Sequence, residues 1–368
     1  MQALREYSGN PASTHAYGKK AAAALEEAKE RIAKALNCEP SEVFFTSSAT
    51  ESINTVIKGQ ALQTKARDGY FLTFAGEHPA TAECFKFIQE YYERKTKVLP
   101  LKDHLPDLSA LEDFVNAQDL DFFSTLYVNN ISGAITPVRE IVKLLRTKAP
   151  QARIHLDAVQ ALGKLPLDFK GFELDYLSLS LHKLGCPKGS GILLMNKDKP
   201  ILPLLHGGGQ QQNFRSSTEN APLAIVSAAV IERAVAQQEA NYTKVTTLKQ
   251  LLLSKLAEAR DQVFDYSLIE AEKQVPHIVS LIIPALRGQN IQAALSKQDI
   301  HIGIGSACAS RKAKPPQALL DQGLSDEEAR HIIRLSLAPE HSEEDLSLLV
   351  ANLAATVRRY AIPERFRK

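Results

Sequence analysis

The stretch DYLSLSLHKLGCPKGSG (residues 175–191) places an amine directly after an apolar strand pattern. Leucines alternate with serines in LSLSL, which is the period-two pattern of a strand. His182 and Lys183 then enter a turn that is rich in glycine and proline. Most lysines lie at a protein surface, whereas a lysine held in a cleft can form a Schiff base with a carbonyl compound. Both interpretations of Lys183 are open at this point.

Polar residues of ligand-binding types follow other strand patterns. In VFFTSSATESIN, hydroxyl residues stand between a strand and a helix, and the free N–H groups of a helix start bind anions. In HLDAVQ, Asp157 ends an apolar strand and needs a cationic partner such as a protonated ring nitrogen; Gln160 follows one turn later. His78 in GEHPAT stands at a third strand end. Helix capping or a structural role would explain each of these residues singly.

The elements that must position these residues alternate between strand and helix up to about residue 196. Strand candidates are VFFT, YFLTF, FFSTLYV, RIHLD, DYLSLSL and GILLM, and helices such as AYGKKAAAALEEAKERIAKAL, TAECFKFIQEYYERK and VREIVKLLRTKA lie between several of them. This alternation predicts an α/β fold with a mostly parallel sheet. Since ligands bind where such strands deliver their carboxyl ends, the polar residues above should lie together.

The remaining third of the chain predicts a smaller α+β domain. A long helical stretch runs over about residues 222–262, followed by the strand HIVSLIIPA, the helix NIQAALSKQ, the strands IHIGIG and HIIRLSLA, and a final helix from about Ser342. We expect a large domain over residues 12–230 and a small domain made of residues 1–11 and 231–368.

Composition and charge exclude several classes of protein. The chain has 368 residues, of which 44% are hydrophobic and 23% charged, with a net charge of +2 and no basic stripe, so nucleic acid is a poor candidate partner. No apolar run reaches the ~18 residues of a membrane span, and the first residues do not resemble a signal peptide. We expect a cytoplasmic protein without membrane contact. The four cysteines have neither disulfide-framework nor metal-ligand spacing, so we expect no metal site.

A lysine for a Schiff base, an aspartate for a pyridinium nitrogen and a helix start for a phosphate together describe a site for pyridoxal 5'-phosphate. The sequence also resembles the cysteine desulfurases of the iron–sulfur assembly type, which have the class V aminotransferase fold. The resemblance rests on these stretches, which occur in family order from Gly9 to Arg334: GNPASTHAYG, VFFTSSATESIN, GEHPA, VNNISGAITP, HLDAVQALGKLPLD, SLSLHKLGCPKGSG, HGGGQQQNFRSSTEN, GSACAS and IIRLSLAPE.

The resemblance implies a fold and a reaction. The fold would be that of the fold type I pyridoxal phosphate enzymes, with a mostly parallel seven-stranded sheet in the large domain and a smaller α+β C-terminal domain. The reaction would convert L-cysteine to L-alanine and leave the sulfur on Cys308 as a persulfide, for transfer to an acceptor or scaffold protein in iron–sulfur cluster or thio-cofactor synthesis. The loop around Cys308, GIGSACASRKAKPP, is rich in small and basic residues, which suits a thiolate on a mobile segment.

The resemblance also assigns the residues. Lys183 would carry pyridoxal 5'-phosphate, Asp157 would pair with its ring nitrogen, Gln160 would bind its ring hydroxyl, and His78 would stack on the ring and assist proton transfer. The phosphate contacts would come from Ala49, Thr50, Ser180 and His182, and from Thr218 of a second copy, which implies a homodimer. Asn130 would contact both the cofactor and the substrate, and Arg334 would bind the substrate through its carboxylate.

Two alternatives stay open. The chain could be another pyridoxal phosphate enzyme of this fold, a selenocysteine lyase or a class V aminotransferase, and Cys308 argues against a plain transaminase. It could also be a low-activity relative that serves as a scaffold, since the family begins with an earlier strand and turn that line the site, whereas this sequence begins at MQALREYSGNPAS. If the chain is natively this short, we expect a more open cleft and weaker substrate binding.

Overall fold

The structure is a computed structural model, and it describes residues 2–64, 68–305 and 315–361. Contacts divide the chain into two units. Unit 1 holds the residues up to Pro100, Pro106–Tyr127 and Thr136–Gln238; unit 2 holds Leu101–Leu105, Val128–Ile135 and the residues from Glu239 onward. The domain bounds expected from the sequence stay a prediction.

The strands are β1 Val43–Thr46, β2 Tyr70–Phe74, β3 Thr96–Leu99, β4 Leu101–Lys102, β5 Leu105–Pro106, β6 Leu120–Leu126, β7 Arg153–Asp157, β8 Tyr176–Ser180, β9 Gly191–Met195, β10 Ser267–Ile269, β11 Ile278–Ile282 and β12 Ile332–Ser336. The helices are α1 Gln2–Glu6, α2 Ala16–Leu36, α3 Ala49–Gln63, α4 Pro79–Tyr92, α5 Leu108–Ala117, α6 Val138–Lys148, α7 Ala221–Ala236, α8 Gln238–Gln262, α9 Gly288–Ser296, α10 Gln317–Leu320, α11 Asp326–His331 and α12 Glu343–Tyr360. Short 3₁₀ turns cover Pro40–Glu42 and Leu181–Leu184.

Unit 1 is built on a seven-stranded sheet in the order β1-β9-β8-β7-β6-β2-β3. The pairs from β8 through β3 are parallel, and β9 runs antiparallel to both β8 and β1. Every residue of β6 is buried, because helices cover both faces of a sheet of this kind. The expected α/β fold with a mostly parallel seven-stranded sheet is thus confirmed.

The helix α2 shows how local sequence sets an element boundary in unit 1. Its bounds match the Ala-rich stretch predicted as a helix. The His15 ring nitrogen Nδ1 accepts the N–H of Gly18 at 3.2 Å and caps the start. The helix ends at Asn37, whose φ of 52° is left-handed, and asparagine tolerates that conformation better than most residues.

Unit 2 contains the antiparallel sheet β10-β11-β12, on which the apolar faces of α8, α9 and α12 pack. The prediction of a strand over IHIGIG (residues 300–305) is wrong. Only one bridge forms there, in which Gly303 pairs with Arg334. Gly305 has a φ of 53°, which no extended strand allows, and glycine has the backbone freedom to leave the sheet at this point.

No helix in the described ranges is both long and apolar enough to cross a membrane.

Candidate active site

The first turn of α3 presents backbone N–H groups at the carboxyl end of β1. Ser48 caps the helix, and its Oγ accepts the N–H of Glu51 at 3.2 Å. Ala49 is buried, whereas Thr50 is exposed at the open end of the turn. Gly191 of β9 lies against this turn, and a β-carbon there would come within 2.5 Å of the Ser48 carbonyl carbon. The sheet therefore fixes a helix start that can bind an anion.

The turn after β8 brings a serine, a histidine and a lysine together. Ser180 is buried, and its Oγ hydrogen-bonds to Nδ1 of His182 at 2.8 Å. Lys183 is exposed in the 3₁₀ turn, which ends at Gly185 with a left-handed φ of 81°. Burial, and after it the charges of Lys183 and Lys188, lowers the pKa of His182. A neutral His182 next to Ser180 can donate or accept a hydrogen bond toward a bound group.

His78 caps the start of α4. Its Nδ1 accepts the N–H of Ala80 at 3.1 Å, so the proton of the neutral ring lies on Nε2. Burial by the surrounding atoms, followed by the charge of Lys183, lowers the pKa of His78. The charge of Lys183 thus contributes to the lowered pKa of both His78 and His182. Thr50 and His78 line the same groove between α3 and α4, which has a volume of about 640 Å³.

Asp157 ends β7 and is buried, with 6% of its surface exposed. Its Oδ1 accepts the N–H of Val159 at 2.9 Å, and no cation of the described residues forms an ion pair with it. Burial raises the pKa of Asp157 to about 6. A buried carboxylate without a cationic partner is unfavourable, so this position fits the protonated nitrogen of a ligand.

Gln160 and Thr218, which the resemblance assigns to cofactor binding, also lie in unit 1. The amide oxygen of Gln160 accepts a hydrogen bond from Lys164 at 2.7 Å, within the turn that follows β7. Thr218 is exposed. The loop that leads to Thr218 is tied to α3 by Arg215, which donates from Nε and Nη2 to the Glu51 carboxylate at 2.8 and 3.3 Å.

In unit 2 the structure brings Asn130 and Arg334 together. Nη1 of Arg334 donates to the backbone carbonyl of Asn130 at 2.8 Å, so the contact does not use the Asn130 amide. Nε of Arg334 is buried and has no hydrogen-bond partner among the residues the structure describes. Gly303 packs on the guanidinium group, where a β-carbon would lie 3.2 Å from Nε. A half-buried guanidinium with a donor to spare suits a carboxylate ligand.

The fourth cysteine of the sequence, Cys308, and the basic residues that follow it lie outside the described residues. Burial raises the pKa of Cys38 to about 12 and that of Cys84 to about 11, so both stay thiols at neutral pH. Cys186 is buried, with 5% of its surface exposed. None of these three has the exposed, electropositive surroundings that a nucleophilic thiol requires.

Sequence reasoning gave no role to two acidic residues next to this cluster. Glu51 pairs with Arg215, and Glu77, directly before His78, is buried with 5% of its surface exposed. The signal for Glu77 was present in the sequence, since a carboxylate follows the apolar pattern YFLTF within three residues. Glu51 gave no comparable signal, because its partner lies 164 residues away in the chain.

Comparison with known proteins agrees with this geometry. The family model described as "Aminotransferase class-V" matches residues 1–349. The chain is 32% identical over 353 residues to the cysteine desulfurase IscS of Clostridium botulinum (strain Hall), covering 95% of this chain and 88% of that one. Among solved structures, a protein titled "NIFS-LIKE PROTEIN" superposes with a TM-score of 0.88 at 32% identity, covering 96% of this chain and 92% of that one. A structure titled "SspA in complex with cysteine" superposes with a TM-score of 0.77 at 27% identity, covering 93% and 95%.

The chain therefore belongs to the class V aminotransferase family, whose members depend on pyridoxal phosphate. Within that family it groups with the cysteine desulfurases, as its identity to the Clostridium protein over most of both chains shows.

Proposed function

We propose that this chain is a pyridoxal phosphate-dependent cysteine desulfurase. It converts L-cysteine to L-alanine and passes the sulfur to Cys308 as a persulfide. The observation that carries the proposal is the arrangement in unit 1, where the first turn of α3 follows β1, the Ser180–His182 hydrogen bond lies beside Lys183 after β8, and the buried Asp157 ends β7 with no cation among the described residues. The named relatives support a desulfurase over a selenocysteine lyase or a transaminase.

The residues of unit 1 fit pyridoxal 5'-phosphate as a donor set. The N–H groups at Ala49 and Thr50, with Ser180 and His182, would bind the phosphate. Asp157 would pair with the protonated ring nitrogen, which would lower its pKa from about 6 and remove the cost of its burial. Gln160 would turn from Lys164 toward the ring hydroxyl, and the ring of His78 would stack on the cofactor. When bound, the cofactor withdraws electrons from the substrate carbon.

The side chains of this protein would then supply binding and proton transfer. Lys183 would hold the cofactor and, once displaced by substrate, carry a proton to and from the substrate carbon. His78 would donate from Nε2, because its Nδ1 is occupied by the Ala80 N–H. Arg334 would bind the substrate carboxylate with its spare N–H, beside Asn130.

Cys308 would accept the sulfur. As a thiolate it would attack the substrate sulfur, so that an S–S bond forms while the carbon–sulfur bond of the substrate breaks and alanine leaves. A sulfur-acceptor or scaffold protein would then take the outer sulfur. We also propose a cytoplasmic homodimer, in which Thr218 of each copy contacts the phosphate bound by the other.

The test is turnover of L-cysteine by the purified protein, followed as alanine and sulfide. The Cys308→Ala variant should stay yellow and form no persulfide, with alanine production reduced by at least 100-fold. Cys186→Ala is the matched control, because it removes a buried thiol and should leave turnover near that of the wild type. Wild-type turnover in Cys308→Ala would show that another group takes the sulfur.

A further inference from the structure

Glu77 is a buried acid that the mechanism above does not use. It follows β2 and is 5% exposed. Its Oε1 accepts the N–H of Leu126 at 2.9 Å, whereas the Thr125 hydroxyl donates to the Leu126 carbonyl at 3.4 Å. Its Oε2 is buried with no hydrogen-bond partner among the described residues. An ionised oxygen in such a position would be far less stable than a protonated one.

The strand β7, on the far side of β6, ends in a second buried acid. Leu126, whose N–H binds Glu77, is the register partner of Asp157 on β7. The next residue, Tyr127, donates its N–H to the Asp157 carbonyl at 2.9 Å. Glu77, after β2, and Asp157, at the end of β7, therefore lie on opposite sides of the end of β6, and a charge on one buried carboxylate disfavours ionisation of the other.

The surroundings decide which of the two acids keeps its proton. Burial, and after it the charge of Asp157, raises the pKa of Glu77 to about 8, whereas the pKa of Asp157 is about 6. Other titratable groups on these segments are His78, next to Glu77, and Tyr127, next to Leu126, and the charge of Lys183 after β8 acts on His78. At neutral pH the negative charge therefore belongs to Asp157.

We propose that Glu77 is a positioning residue that acts as a neutral carboxylic acid. Its Oε1 accepts the Leu126 N–H and so positions the carboxyl end of β6. Because Glu77 is neutral, the negative charge at this edge of the sheet lies on Asp157, which would face the cofactor nitrogen. The link to the cofactor rests on the proposed function; the protonation of Glu77 does not. Glutamine should replace this glutamate without loss, because it offers the same acceptor and no charge.

The first test uses the protein without cofactor. A group whose proton is held more tightly in the folded than in the unfolded state makes the folded protein less stable as pH rises. From pH 6 to 8 the folding equilibrium constant of the wild type should fall relative to that of Glu77→Gln. The ratio of the two constants should change by about tenfold per pH unit. Urea unfolding at each pH measures this difference. Glu83→Gln is the matched control, since it removes an exposed carboxylate on α4 and should follow the wild type.

Parallel curves of stability against pH for the wild type and Glu77→Gln would overturn the proposal. A Glu77→Gln protein that fails to fold where the wild type folds would also overturn it.

The second readout is retention of pyridoxal 5'-phosphate after gel filtration. Glu77→Gln should retain it as the wild type does, and Glu77→Ala, which lacks the acceptor, should retain at least tenfold less. Equal losses in both variants would mean that the charge of Glu77, not its acceptor, supports the site. Since the unfolding experiment uses neither cysteine nor cofactor, its result stands whether or not the desulfurase activity is found.

Discussion

Replacing Asp157 by asparagine should stabilise the protein without cofactor. Burial raises the pKa of Asp157 from 3.8 to about 6, so its ionised form is disfavoured in the folded state. Each pKa unit corresponds to 1.36 kcal/mol, which gives a destabilisation of about 3 kcal/mol once the carboxyl is ionised. Because the folded-state pKa is the higher one, this loss begins above the unfolded value near pH 4 and is complete above pH 6. Asparagine keeps the acceptor for the Val159 N–H and removes the charge.

The assay is urea unfolding of both proteins without cofactor between pH 4 and 8. At pH 4 the two should be about equally stable, and by pH 7 Asp157→Asn should be more stable by up to about 3 kcal/mol. The exposed Asp113→Asn on α5 is the control and should show no pH-dependent difference. Adding pyridoxal 5'-phosphate should stabilise the wild type more than Asp157→Asn. A variant that is less stable than the wild type by the same amount at every pH would refute this account of Asp157.

Three further outcomes are expected. Borohydride reduction followed by peptide mapping should place the pyridoxyl group on Lys183, and a label on another lysine would show that the assignment is wrong. Arg334→Lys should raise the KM for L-cysteine by about tenfold to 100-fold with a smaller change in kcat, because lysine lacks the planar fork that binds a carboxylate; an unchanged KM in steady-state kinetics would contradict this role. Glu51→Gln should lower the free energy of unfolding by about 1–3 kcal/mol, since it removes the charged partner of Arg215, and chemical denaturation at pH 7 would show whether that contact matters.

Most of the fold could be predicted because its signals are local. The period of α2 and the alternating or continuous apolar runs of β2, β7 and β9 appear in short windows of sequence. β3, with the sequence TKVL, was missed because only its last residue is buried, so its apolar pattern is weak. The expected strand over residues 300–305 is absent for the opposite reason: an apolar alternation is present, but Gly303 and Gly305 weaken its tendency to extend.

The candidate site was only partly predictable, because its chemistry depends on contacts across the sheet. Strand ends indicated Lys183, Asp157 and His78 one at a time, and the resemblance supplied their common purpose. No local pattern shows that Glu77 lies against the end of β6, or that the Arg334 guanidinium donates to the Asn130 backbone rather than to its side chain. Such pairings are set by sheet order and register, which single-sequence patterns do not contain.

The proposed site gives a reason for the arrangement of charges in unit 1. The first turn of α3 offers partial positive charge and open N–H groups, whereas Asp157 is a buried negative group without a cation among the described residues. Burial, and after it the charge of Lys183, lowers the pKa of His78 and of His182, so that neither ring is a cationic partner for Asp157 at neutral pH. The buried charge of Asp157 disfavours the unliganded protein, and in the proposed site a molecule with a phosphate at one end and a protonated nitrogen at the other would relieve that cost. Since these groups are fixed by strand ends and helix starts, they need no reorganisation when the ligand binds, which is the condition under which electrostatic stabilisation is most effective.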